Sequence, residues 1–171
     1  IQFFGNSDSY EPIFIITMKY TAIAVNKDHP NNAIDPHQYE KETKFTVEFL
    51  GAGDATPAKI VQTAHWSRTI TVIPSKKQII ANGVYDTAWK ADIARYQDVT
   101  IPVIEGYHSR GNIIKAVPVT EEDQLLTVTY EKNGHLVPVD EDGEQIPNAP
   151  QPIFENDPDH AGEVRDDQIV P

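Results

Sequence analysis

The sequence predicts a β-rich α+β chain with at most one short helix, flanked by extended segments. Three observations carry this. Phe45, Val47 and Phe49 alternate with Thr46 and Glu48, the period-two pattern of a half-buried strand. Runs rich in Thr, Val, Ile and Leu at residues 59–73 and 125–130 add further strand material. Helical spacing, by contrast, is confined to one stretch, residues 87–96.

Residues 1–42 hold one expected strand, 13–20, with Phe14, Ile16, Met18 and Tyr20 on one face. A connector follows (His29-Pro30-Asn31-Asn32, then Asp35-Pro36-His37) whose Pro and Asn residues resist regular structure. A single strand cannot bury its own face. This portion therefore reads as the end of a preceding module plus a linker, in a segment excised from a longer protein.

Residues 43–132 read as the central β-rich domain. Gly51-Ala52-Gly53-Asp54 turns the chain after the first strand. In the run 59–73, Ile60, Ala64, Trp66, Ile70 and Val72 fall mostly on one face, and Pro74 ends it. A weaker strand over 78–85 is broken by Asn82-Gly83, a hairpin signal. In the helical candidate, Trp89, Ile93 and Tyr96 stand at i, i+4 and i+7, although ten residues make a helix too short to persist alone. Residues 99–104 and 114–119 each contain a Pro, which suits edge strands or irregular extended chain. Residues 125–130 form the closing strand.

Residues 133–171 are acidic and Pro-rich and read as the start of a following module. They open with a hairpin-like unit, Leu136-Val137-Pro138-Val139 turning at Asp142-Gly143 toward Ile146. Extended coil is expected beyond it. This stretch carries ten acidic residues against Arg165 alone, so it holds nine of the twelve net negative charges.

Composition excludes several classes of function. With no Cys among 171 residues, disulfides, thiolate metal sites and cysteine nucleophiles are out. A net charge of −12 opposes binding to nucleic acid and to anionic membrane surfaces. No run approaches the roughly 20 apolar residues of a membrane span, so membrane insertion of this segment is not expected.

Catalytic chemistry finds no foothold. The six His residues (His29, His37, His65, His108, His135, His160) are scattered, without zinc-ligand spacing. Ser67 and Ser109 lack the flanking glycines of a nucleophile elbow. Counted from Asp140, the Gly falls fourth and the twelfth residue is Gln151, so the acidic turn does not fit a calcium loop of the EF-hand type. No catalytic residue, metal or cofactor is expected. Aromatic side chains are the remaining ligand-type chemistry, because sugars stack on their faces. Trp66 lies on the presumed inner face and reads as core. Trp89, Tyr96 and Tyr107, in the less regular stretch, are the candidate ligand contacts, each weighed against ordinary packing.

Several stretches resemble the mucus-binding repeats of lactic-acid-bacterial surface adhesins. Val61-Gln62-Thr63-Ala64-His65-Trp66-Ser67-Arg68-Thr69-Ile70-Thr71-Val72 resembles the family's long second strand, with Trp66 where Phe is usual. Tyr96-Gln97-Asp98-Val99-Thr100-Ile101-Pro102-Val103-Ile104-Glu105-Gly106-Tyr107 resembles a second family segment, with Tyr96 in place of Trp. Leu126-Thr127-Val128-Thr129-Tyr130 is similar to its closing strand. Leu136 to Pro150 and Asn156-Asp157-Pro158-Asp159 resemble the opening of a next module, and Phe14 to Tyr20 the last strand of a preceding one.

The resemblance implies a ubiquitin-like β-grasp module in a tandem array on the bacterial cell wall, outside the cell. It implies binding to mucin glycoproteins or their glycans, and no enzyme activity. Immunoglobulins are an alternative partner for some members, and a passive spacer is the alternative role. No ligand contact transfers residue by residue.

Overall fold

The computed structural model describes residues 11–17 and 19–165. In chain order the strands are β1 (Ile23–Val25), β2 (Glu40–Leu50), β3 (Ile60–Ser67), β4 (Ile70–Ile73), β5 (Gln78–Ile80), β6 (Lys90–Ala91), β7 (Val99–Thr100), β8 (Tyr107–His108), β9 (Ile113–Ile114), β10 (Gln124–Thr129) and β11 (Glu131–Lys132). Among the described residues there is no α-helix; Pro36–Gln38, Gly53–Ala55 and Pro74–Lys76 form short 3₁₀ turns. Two compact units result, Ile1–Tyr39 with Thr69–Thr87, and Glu40–Arg68 with Ala88–Pro171.

In the first unit, β4 pairs antiparallel with β1 on one side and β5 on the other. Val25, Ile34, Tyr39, Ile70 and Val72 form its core. The strand expected over 13–20 is corrected by the structure. Met18 lies outside the described residues. Residues 13–17, 19 and 20 pair with nothing in a sheet, and Ile13, Phe14, Ile15 and Ile16 are 78–91% exposed. Without a neighbouring edge an apolar alternation alone does not make a strand.

Asn82-Gly83 also departs from expectation. Asn82 adopts a left-handed φ of 54°, yet no return strand follows Gly83. The turn instead wraps Thr71, which is buried. Asp86 Oδ1 accepts from the Thr71 amide and hydroxyl, both at 2.9 Å, while Oδ2 accepts from Gly83 N at 3.0 Å.

The second unit centres on a four-stranded sheet in the order β10-β2-β3-β6. The β2–β3 and β3–β6 pairings are antiparallel, but β10 runs parallel to β2, with Phe45 opposite Gln124 and Phe49 opposite Val128. Alternation along β2 sends Thr43, Phe45, Val47 and Phe49 inward, each 4% exposed or less. Phe45 stacks on Tyr96 with centroids 5.4 Å apart, and Phe49 lies 6.2 Å from Tyr130. The Pro-containing stretches contribute the short β7–β9 pair expected of irregular chain, and a second short pair joins β8 to β11.

The helical candidate over 87–96 is extended chain instead. Lys90 and Ala91 pair with Ser67 and Trp66 of β3, and Asp92 Oδ1 accepts from His65 N at 2.9 Å. Further on, Tyr96 N donates to Val117 O. Sheet partners satisfy the backbone groups that a short, marginal helix would have paired internally.

The acidic stretch packs into the second unit. Its expected hairpin is present, with Val139 opposite Gln145 and Asp140 Oδ1 accepting from the amides of Asp142 and Glu144. Beyond it, Ala161 is 1% exposed and belongs to the core with Phe45, Val47 and Tyr130. Asn156 ties this strap down. Its Nδ2 donates to the carbonyls of Ile104 (3.0 Å) and Tyr107 (2.6 Å), and its Oδ1 accepts from Gly106 N (2.9 Å) and Asn133 Nδ2 (3.0 Å).

Tyr130 gives the fold an alkaline limit. Its hydroxyl donates to Pro102 O at 2.6 Å, and burial raises its pKa above the usual value. A raised folded pKa contributes stability that is complete below the unfolded value, about 10, and is lost as pH rises through the folded one. Urea unfolding at about pH 8 and about pH 11 is expected to show a loss in the parent that Tyr130→Phe reduces. An equal loss in both proteins would assign the alkaline limit to other groups.

Candidate functional site

The inner face of β2 changes character along its length: Phe49, Val47 and Phe45 are apolar, Thr43 is polar and Lys41 is cationic. Thr43, 3% exposed, is the hub at this end of the sheet. Its hydroxyl accepts from Trp66 Nε1 at 2.7 Å and donates to Thr120 O at 3.0 Å, while Tyr96 Oη donates to Thr43 O at 3.2 Å. These bonds fix the Trp66 ring on the face it shares with Lys41, its direct cross-strand partner.

Lys41 Nζ lies 5.6 Å from the centre of the Trp66 ring and 4.5 Å from that of Trp89. The Arg68 guanidinium carbon lies 4.5 Å from the same Trp89 centre. Trp89 reaches this position because Lys90 and Ala91 pair with the end of β3. Glu121 Oε1 meets Lys41 Nζ at 3.2 Å. Glu40 and Glu42 alternate to the opposite face of β2 from Lys41, and Glu42 there faces His65 at 3.5 Å.

A cation on a partly exposed ring contributes about 0.5–1 kcal/mol, and a long cationic side chain gives up rotamer freedom of similar size or larger when it is held. The cluster therefore adds little to folding. Its physical consequence is two pre-positioned cations beside half-buried indole rings.

The three sequence candidates do not come together. Trp89 belongs to this cluster. Tyr96 is 1% exposed, stacked on Phe45 and packed in the core. Tyr107 is half-buried against the core, with its carbonyl held by Asn156. Lys41 and Arg68 went unread in the sequence. The signal for Lys41 was the β2 alternation extended two steps past Phe45, which places it on the inner face; Arg68 stands in the Val61–Val72 stretch that carries the resemblance, but nothing there points to Trp89, which is distant in sequence.

Asp157, His160 and Glu163 bring one ligand atom each within 4.8 Å of one another. Local bonds account for that grouping: Asp157 Oδ1 accepts from Asp159 N at 2.8 Å and lies 3.1 Å from His160 Nδ1. The Asp159 amide, with help from His160, holds the Asp157 carboxyl below the usual range.

The structure is similar to the mucin-binding domain of Spr1345 from Streptococcus pneumoniae, with a TM-score of 0.45 and 15% identity over 64% of this chain and 96% of that one. It is also similar to the type 2 repeat of the mucus binding protein MUB from Lactobacillus reuteri, at 0.43 and 22% identity over 66% of this chain and 59% of that one. The MucBP domain of the adhesion protein from Pediococcus pentosaceus gives 0.43 and 19%, over 54% of this chain and 99% of that one. No curated protein matches the chain. The model of the Muc B2-like domain matches residues 34–134, a span that contains all of β2–β11 and the Lys41–Trp66–Arg68–Trp89 cluster. With well over half its length matched, the chain belongs to the Muc B2-like domain family.

Proposed function

We propose that this chain is a repeat of a bacterial cell-surface adhesin that binds mucus glycoproteins through their glycans, outside the cell and anchored to its wall. The family match across 34–134 carries the reading. On this reading the chain is a binding module, with adhesion and not catalysis as its role. We also read the second unit as a β-grasp sheet. Support comes from the parallel pairing of its first long strand, β2, with its last, β10, while the hairpin partner β3 lies on the other side of β2; the usual helix is replaced by irregular chain.

Mucins are largely polyanionic and the chain carries −12, so long-range forces oppose the encounter. Affinity must come from short-range contacts, and it is expected to grow as Asp and Glu protonate toward their reference values of about 4. The test is binding of the purified chain to immobilised mucin at pH about 7 and about 4.5, with free sugars as competitors. Saturable, sugar-competed binding that strengthens at the lower pH is expected. Absence of binding by folded protein at both values would favour a spacer role. Binding to immunoglobulin that free sugars leave unchanged would move the function to protein recognition.

A further inference from the structure

Asp157, His160 and Glu163 stand on the part of the acidic strap that is most firmly held. Asn156 pairs with Val164 across the turn that carries them. Within it Asp157 N donates to Glu163 O at 3.2 Å, and Glu163 N donates to His160 O at 3.1 Å. The turn is anchored at its middle. Ala161 is 1% exposed and its carbonyl accepts from Ser109 N at 2.9 Å, while Gly162 N donates to Asn112 Oδ1 at 2.8 Å. The three side chains therefore project from backbone that folding has already fixed.

Their spacing is that of a ligand set. His160 Nδ1 lies 3.1 Å from Asp157 Oδ1 and 3.7 Å from Glu163 Oε2, and all three ligand atoms fall within 4.8 Å of one another. Nitrogen and oxygen ligands about 2.0–2.1 Å from a zinc ion, set at tetrahedral angles, stand roughly 3.4 Å apart. Two of the three spacings are thus near those of a bound ion before any ion arrives. Glu163 Oε1 accepts from Asn112 Nδ2 at 3.4 Å, which leaves Oε2 turned toward His160. With side chains 29%, 49% and 57% exposed for Asp157, His160 and Glu163, an ion reaches the set without opening the core.

We propose that Asp157, His160 and Glu163 form a site for a zinc-class divalent ion, with water completing a four-coordinate shell. One imidazole with two carboxylates suits zinc and similar transition-metal ions, whereas calcium seeks about six to eight oxygen ligands. The −12 charge of the chain favours approach of a cation. On binding, the ion takes the place of the proton between His160 and Asp157, and His160 keeps its remaining proton on Nε2. Sequence spacing hid this set because it contains a single His, and the turn supplies the two carboxylates. Only the folded strap brings the three together, so the ion also fastens the strap to the second unit.

The experiment titrates the metal-stripped, untagged full chain with zinc chloride by isothermal calorimetry and repeats the titration with calcium chloride. Saturable uptake of one zinc ion is expected, at least about tenfold tighter than calcium. His160→Gln and Glu163→Gln are each expected to weaken zinc binding at least about tenfold. Asp159→Asn removes a neighbouring charge but no ligand, and is expected to stay within about twofold of the parent. Circular dichroism of the metal-free variants checks their fold. Zinc uptake unchanged in His160→Gln would place the ion on other histidines and overturn the site. Equal affinity for calcium, or an equal loss in Asp159→Asn, would reduce it to general attraction to acid and overturn it too. Zinc is also expected to raise the thermal midpoint of the parent and not that of His160→Gln. Binding without that rise would mean that the unfolded chain holds zinc as well, and would overturn a site built by the fold.

Discussion

Gly51→Ala is expected to destabilise the second unit by about 3–5 kcal/mol, near the upper end for a single substitution. Two costs combine. Gly51 has φ of +97°, a conformation that costs an L side chain about 1–2 kcal/mol. A Cβ there would also overlap the Tyr130 carbonyl oxygen. That oxygen cannot retreat freely, because Tyr130 N donates to Leu50 O at 2.7 Å and the ring is buried against Phe49. Relief would pull β10 from β2 at the end of the parallel pairing. Gly143→Ala is the control: its φ is +82°, but nothing lies within 4 Å of the added carbon. Chemical denaturation should give about 1 kcal/mol there, and equal losses in the two variants would show that conformation, not contact, sets the cost.

Asn156→Ala is expected to cost about 2–4 kcal/mol. One side chain serves four partners: the carbonyls of Ile104 and Tyr107, the amide of Gly106 and the amide group of Asn133. Leaving part-buried groups without partners costs about 1–3 kcal/mol each, reduced where water reaches them. Asn156→Asp should be at least as damaging, since a carboxylate cannot donate to either carbonyl and faces both of them. Removing residues 153–165 should be worse still, because it withdraws Ala161 from the core. Hydrogen exchange gives the sharper check: amides of β8 and β10 should lose protection together in Asn156→Ala. Protection and stability unchanged from the parent would mean the strap is not part of the cooperative unit.

These two sites show where sequence reading reached and where it stopped. Phe45, Val47 and Phe49 were legible because alternation on a long strand is a local signal, and the structure buries all three. The parallel partner of β2 was not legible, since period two marks a strand without naming its neighbour, and β10 lies nearly eighty residues away. The spacing of Trp89, Ile93 and Tyr96 imitated a helix face. In the structure these side chains occupy three unlike surroundings: a cation cluster, an exposed position at 38% and the core. Coincident spacing over ten residues carried no partner information.

Beyond its hairpin the acidic stretch follows the extended, strand-free course expected, among the described residues, but what anchors it was not legible. Its Pro and carboxylate content argues for extended coil, yet one Ala and one Asn hold it in place. Ala161 is too small to register in an apolar pattern, and what Asn156 contributes depends on four backbone and side-chain groups brought together by folding. Ligand contacts share that difficulty. Of Trp89, Tyr96 and Tyr107, the sequence could not say that Tyr96 lies in the core and Trp89 between two cations. The contacts of Lys41 and Arg68 with Trp89 become visible only once β2, β3 and β6 are aligned.

The most direct measurement is the affinity of the folded chain for one mucin preparation before and after enzymatic removal of its glycans, followed by surface plasmon resonance on matched surfaces. Saturable binding to the intact mucin that falls at least about tenfold, more than 1.4 kcal/mol, on the deglycosylated surface is the predicted result. Equal binding to both surfaces, or none to the intact mucin, would contradict the assignment of this module to glycan recognition.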